Sequence, residues 1–270
     1  MGRRTRRSPH RTGGDHIVTD TRPTHVTPGL PAVAPGLPGR PWISQDWLDV
    51  VFVHWRVDVS AVAPLLPAGT RPDTMALDGT DDGVTTWVGL IAFRFEDTRF
   101  PPFSTGSIGD FVELNVRVYT VDEQGQRGVV FLSLDAGKLL PTIGARVATG
   151  LPYRWAVAES RSGDGRVGYA MRRHGTHLRS MLDVRIGAAL DEPGPLDTFL
   201  TARWGMHVHR AGRTRFWPNE HESWPLHRAS VVSLRDDLVG AAGLPFGLTE
   251  LEPDSVLYSP GVTTRFGRGR

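Results

Sequence analysis

Apolar and polar residues alternate with a period of two in several short runs, and this alternation, rather than a helical period, organises the chain. In Phe111–Val121 (FVELNVRVYTV), Val112, Leu114, Val116 and Val118 point one way and Glu113, Asn115, Arg117 and Tyr119 the other. Val51–Val59 (VFVHWRVDV) repeats the pattern, with Val51, Val53, Trp55 and Val57 opposed to Phe52, His54, Arg56 and Asp58. Thr85–Phe93 (TTWVGLIAF) is apolar on both sides, as in a strand buried on both faces. The loop DEQGQRG turns the first run back into VVFLSLDA as an antiparallel hairpin, and RSGDG joins WAVAES to GRVGYAMRR in the same way.

Helical signals are few. VDVSAVAPLLPAG reads as a turn or short helix, and PLDTFLTARW and RDDLVGAAG are helix-like. PTIGARVATGLP predicts a helix opened by Pro141, with Ile143 and Val147 on one face, and stopped by Gly150 and Pro152. Many short strands with few helices predict a mainly β fold, an antiparallel sheet closed or curled around one core. That single domain is expected over residues 42–270.

Composition changes the picture at the N-terminus. The first 40 residues hold seven arginines against two aspartates, with much Pro and Gly, so residues 1–41 are expected to be a disordered basic leader. The net charge of +2 then divides into +5 for that stretch and −3 for the rest, so nucleic acid is not an expected partner of the folded part. No apolar run approaches the ~20 residues of a membrane span, and a cytoplasmic location is expected. With no cysteine, disulfides, thiolate catalysis and cysteine–zinc sites are excluded.

The candidate chemistry begins with the row Glu113, Asn115, Arg117 and Tyr119. It is either the solvated face of a half-buried sheet or a polar row lining a lumen that binds a small anionic or carbonyl ligand. Glu113 and Arg117 stand ~13 Å apart along a strand, so each needs partners from neighbours, which His54 and Arg56, or Ser133 and Asp135, could supply. His207 and His209, and His221, Glu222 and His227, suggest no metal: the second histidine of an H-E-x-x-H pattern is displaced and Pro225 intervenes. Lys138, the single lysine, has no second cation beside it in sequence to depress its pKa for amine catalysis.

VFVHWRVD, LLPAGTRPD, TWVGLIAF, ELNVRVYT, GVVFLSLDA, ARVATGLPY, LTARWG and YSPGV occur in one order over roughly residues 42–266. Together they resemble the YqjF-like family, DUF2071, which is similar in turn to the acetoacetate decarboxylase superfamily. The resemblance implies a β-barrel-like cone around a small apolar pocket, with a glutamate on a strand comparable to that of Glu113. Decarboxylases of the superfamily form a Schiff base through a lysine in a G-x-P-K-K segment. The matching segment here is Gly150-Leu151-Pro152-Tyr153-Arg154, with Tyr153 where the nucleophile would be and Arg154 where its partner would be.

Tyrosine forms no iminium and arginine stays protonated, so Schiff-base decarboxylation is not expected. The expected function is a non-catalytic binder of a small hydrophobic acid or carbonyl compound, through Arg56, Asn115 and Arg117. The alternative is an enzyme using Glu113 as general acid/base, with Tyr153 or Arg154 polarising a carbonyl oxygen. A third reading is a structural or interaction protein without a ligand. The sequence assigns no cofactor, no metal and no oligomeric state.

Overall fold

Thirteen strands form one sheet, and its pairing brings it back on itself twice. The computed structural model describes residues 1–2, 30–138 and 150–269. The helix expected after Pro141 and most of the expected leader lie outside these residues.

The strands are β1 (Ile43–Asp58), β2 (Thr70–Pro72), β3 (Thr85–Phe100), β4 (Phe103–Ser104), β5 (Phe111–Asp122) and β6 (Arg127–Ala136). They continue with β7 (Tyr153–Gly163), β8 (Arg166–Arg173), β9 (Arg179–Ala189), β10 (Gly205–Arg210), β11 (Arg213–Glu220), β12 (His227–Asp236) and β13 (Ser255–Phe266). The order runs β11-β10-β6-β7-β8-β9-β12-β13-β1-β3-β5-β2, and extra pairings join β6 to β5 and β11 to β13. Most pairs are antiparallel; β6 runs parallel to β7 and to β10. The hairpin β5–β6 forms where the alternation puts it. In β7–β8, Asp164 and Gly165 supply the positive φ that a tight hairpin turn needs.

The two returns share one wall, β13-β1-β3-β5-β6, and bury both of its faces. On one face Val51, Val53, Val88, Leu90, Leu114, Val116 and Val118 pack against Val167, Leu182, Val184 and the short helix Leu238–Ala241. On the other, Trp47, Phe52, Ile91 and Phe93 meet Phe199, Leu200, Met206 and Trp224, partly supplied by the helix Pro195–Thr201. The first side is mostly aliphatic and the second mostly aromatic. Burial of this much apolar side chain on each face, at roughly 1.5–3 kcal/mol per large residue, holds the wall between two cores.

Residues 30–41, assigned by composition to the leader, are described from Leu30 onward and hold contacts with the aromatic side. Trp204 Nε1 donates to Pro31 O at 2.7 Å, Ser223 Oγ donates to Ala32 O at 3.3 Å, and the Leu37 N–H donates to Glu220 at 3.0 Å. The packed chain therefore extends to Leu30, twelve residues before the expected boundary at Trp42.

Candidate functional site

The polar alternation of β5 points into the aromatic core and not to solvent: Glu113, Asn115 and Arg117 are 1%, 2% and 6% exposed, and Tyr119 is fully buried. The solvated-face reading is thereby overturned. Burial arises because Phe199, Leu200 and Trp224 cover a face that would be wet in a single-layer sheet.

Register sets the neighbours. One row across the wall runs Leu257–Phe52–Ile91–Asn115–Leu134–Tyr153. The adjacent row runs Ser255–His54–Gly89–Arg117, and a third joins Phe93, Glu113 and Ala136. Gly89 makes room for its row: a Cβ there would stand 3.2 Å from His54 Cδ2 and 3.3 Å from Arg117 Cγ. A lone glycine inside the otherwise apolar TTWVGLIAF is the sequence signal for such a close approach.

At one end of the site Tyr119 is a hub. Its hydroxyl lies 2.9 Å from Leu200 O and 2.6 Å from His54 Nε2, and Arg117 donates to it from Nε at 3.3 Å and from Nη2 at 3.2 Å. Arg117 Nη2 also donates to Leu200 O at 2.9 Å, and its guanidinium lies over the Phe52 and Tyr119 rings. Burial, together with the positive charges of Arg117 and Arg203, holds His54 well below the usual imidazole range, so the ring is neutral. With the Tyr119 proton on Leu200 O, His54 donates through Nε2 and its buried Nδ1 is left a bare acceptor without a partner. Nearby, burial lowers His221 to about 4; its ring sits between Trp204 and Trp224 at 4.6 and 4.7 Å, and Nδ1 lies 2.6 Å from Glu222 O.

At the other end stands Glu113. Asn115 Nδ2 donates to its Oε1 at 3.2 Å, while Oε2 has no hydrogen-bond partner among the described residues. The Tyr153 phenol lies close enough to interact with the carboxyl, although not within ordinary bonding geometry of Oε2. Burial pushes Glu113 up to about 8, against the opposing pull of Asn115 and Tyr153 and with added repulsion from Asp135. A carboxyl so placed is mostly protonated at neutral pH, a donor and an acceptor at once. Burial and the Glu113 charge likewise raise Tyr153 well above the phenol range, so it too stays neutral.

Of the residues named from sequence, Glu113, Asn115, Arg117 and Tyr153 come to one side of the wall. Arg56 does not: it lies near the end of β1, exposed, and pairs with Asp254 at 3.3 Å. Arg154 does not either: one residue after Tyr153 in a strand, it takes the opposite direction and is exposed. Ser133 and Asp135 face the aliphatic side, because a β-bulge between Val116 and Arg117 in the β5–β6 pairing shifts the register. There Arg173 Nε donates to Asp135 at 2.6 Å and Arg173 Nη2 to Ser133 Oγ at 2.8 Å. Lys138 lies away from this row, beside Phe95, Phe111 and Val112, and donates to Ser107 O. Among the histidines, buried His207 bonds Thr120 and Asp122 and exposed His209 bonds Thr214. The sequence reading missed the Leu200 carbonyl, whose role depends on packing across 81 residues.

The family model described as an uncharacterized conserved protein, DUF2071, matches residues 44–263. The "Uncharacterized protein YqjF" of Bacillus subtilis (strain 168) is 29% identical over 228 residues, covering 82% of this chain and 89% of the relative. Among solved structures, the enduracididine biosynthesis enzyme MppR complexed with pyruvate is 18% identical with a TM-score of 0.56, over 87% of this chain and 91% of that one. An acetoacetate decarboxylase from Legionella pneumophila is 14% identical with a TM-score of 0.56, over 86% and 89%. At these identities the likeness to the solved structures establishes the fold, which is that of acetoacetate decarboxylase-like proteins.

Proposed function

The chain belongs to the DUF2071 family, and on that premise we propose that the aromatic side of its wall binds a small carbonyl-containing acid without forming an imine. The observation that carries this reading is Glu113: a buried, largely neutral carboxyl with one oxygen unpaired, beside the phenol of Tyr153. Leaving a buried polar atom unmatched costs ~1–3 kcal/mol, a cost that a ligand oxygen hydrogen-bonded to Glu113 and Tyr153 removes. Arg117 supports an acid, since its guanidinium meets a phenol and a carbonyl but no carboxylate among the described residues. A solved protein of the same fold is complexed with pyruvate, which sets the size of ligand to try first.

A second reading, an enzyme with Glu113 as general acid/base, is favoured by the position of its pKa at about 8. An acid near the working pH gives and takes a proton with little driving-force loss. Tyr153 would then hold the carbonyl oxygen by hydrogen bonding, and no covalent adduct forms.

Calorimetric titration of the full chain with pyruvate and acetoacetate tests the binding. Saturable binding is expected, weakened about tenfold or more in Glu113→Gln and Tyr153→Phe, the loss of roughly one good hydrogen bond. Borohydride should trap no adduct. Absence of saturable binding, or binding indifferent to both substitutions, would leave the structural or interaction reading in its place. Turnover of either compound, lost in Glu113→Gln, would select the enzyme.

A further inference from the structure

β12 and β13 pair only at His227↔Tyr258 and Arg228↔Leu257 and then part. Beyond that point β12 pairs with β9, and Ser255 and Val256 of β13 pair with β1, so neither strand has a strand partner on the side facing the other. The gap is a cleft of about 560 Å³, within the size range of small-molecule sites.

The charge of the cleft is one-sided. Asp78, Asp197, Glu252 and Asp254 line it against Arg228 alone. Asp197 is matched by Arg228, at 2.8 and 3.0 Å, and Asp254 by Arg56, whose guanidinium lies 3.3 Å away. Asp78 accepts only from the Thr80 N–H and hydroxyl, at 2.9 and 2.7 Å, and among the described residues Glu252 has no cationic partner. Two carboxylates therefore remain uncompensated.

A second observation is independent of those charges. Ser255, which lines the cleft, is 91% buried, and its hydroxyl has no hydrogen-bond partner among the described residues. It stands opposite His54 in the β1–β13 register, and same-face residues so placed have Cβ atoms ~4.5–5.5 Å apart. His54 Nδ1, the bare acceptor, is unpartnered too. Two adjacent buried polar atoms that do not bond each other leave room for a group that bonds both. Because Nδ1 accepts only, that group must donate.

We propose that this cleft binds a compact organic cation bearing a primary ammonium group, with the ammonium donating to Ser255 and His54 and the uncompensated carboxylates of Glu252 and Asp78 balancing its charge. A primary ammonium carries three donors and no acceptor, which is what an acceptor floor and acidic walls require. The site lies on the opposite side of His54, in its row, from Arg117, and is separate from the one proposed for the carbonyl acid.

The test is calorimetric titration of the full chain with 1,4-diaminobutane as probe, at low ionic strength. Saturable binding is expected, with Ser255→Ala and Glu252→Gln each weakening it roughly three- to tenfold. Ser255→Ala removes only an unsatisfied hydroxyl, so the variant should fold. Glu113→Gln should bind the diamine like the native chain. The proposal is overturned by absence of saturable binding, by binding unaffected in both cleft variants, or by binding lost in Glu113→Gln. Failure of pyruvate to bind has no bearing on these outcomes.

Discussion

Leu114 and Glu113 are neighbours in the chain, point to opposite sides of one strand, and are both almost completely buried. On Leu114's side the wall packs Val and Leu against Val and Leu, and the polar group buried there is matched: Asp135 is held by Arg173 and Ser133. On Glu113's side the packing is aromatic, and Glu113 Oε2, Asn115 Oδ1, His54 Nδ1 and Trp47 Nε1 are left without partners. Buried polar groups in folded proteins are nearly always paired. A satisfied buried pair is accounted for by the fold, whereas a cluster of unsatisfied atoms on one face needs something from outside it. The aliphatic face holds the molecule together, and the aromatic face keeps hydrogen-bonding capacity in reserve.

Four substitutions bear on this contrast. Asp135→Ala, on the aliphatic side, leaves Arg173 without its charge partner and should cost about 3–5 kcal/mol by urea denaturation. Leu114→Ala should cost roughly 2–5 kcal/mol by opening a cavity in a packed core. If either is neutral, that face is not the rigid one.

Glu113→Gln should do the reverse, and in a pH-dependent way. Glu113's folded pKa of about 8 lies above the ordinary 4.5, so the folded state holds a proton that the unfolded state releases. Its contribution is fully present below about pH 4.5 and is lost as pH rises through about 8. His54 and His221 are depressed and destabilise only as pH falls below their ordinary 6.5, so between that value and 8 the slope belongs to Glu113. The native chain should lose roughly 2 kcal/mol over that window, at ~1.4 kcal/mol per pH unit, and Glu113→Gln should lose none. An unchanged slope in the variant would assign the loss to another group. The smallest effect is expected from Gly89→Ala, at about 1 kcal/mol, since His54 and Arg117 must each give by a few tenths of an ångström. A stabilising result there would mean the space beside Gly89 is empty.

How much of this was legible in the chain depends on distance along it. The period of two in FVELNVRVYTV assigns both faces of β5, and TTWVGLIAF shows that its neighbour is buried on both sides, as the structure has them. Whether the polar face was wet or covered was not written there, because alternation is the same for a half-exposed strand and for one facing a polar core. The covering residues, Phe199, Leu200 and Trp224, come from a part of the sequence with no comparable pattern. Ser133 and Asp135 were assigned to the wrong face because a bulge leaves no mark in the alternation of one strand. Tyr153 was found through the family segment and not from periodicity, and the same segment carried Arg154, which strand geometry turns away.

The contrast between the two faces rests on Glu113 being a neutral, unpaired carboxyl within reach of a ligand. The most direct measurement is NMR titration of the full chain with side-chain carboxyl-labelled glutamate, the Glu113 signal assigned by its loss in Glu113→Gln. It should titrate at about 8 in the free protein and move when pyruvate is added. A Glu113 signal titrating near 4.5, unmoved by pyruvate, would contradict the account.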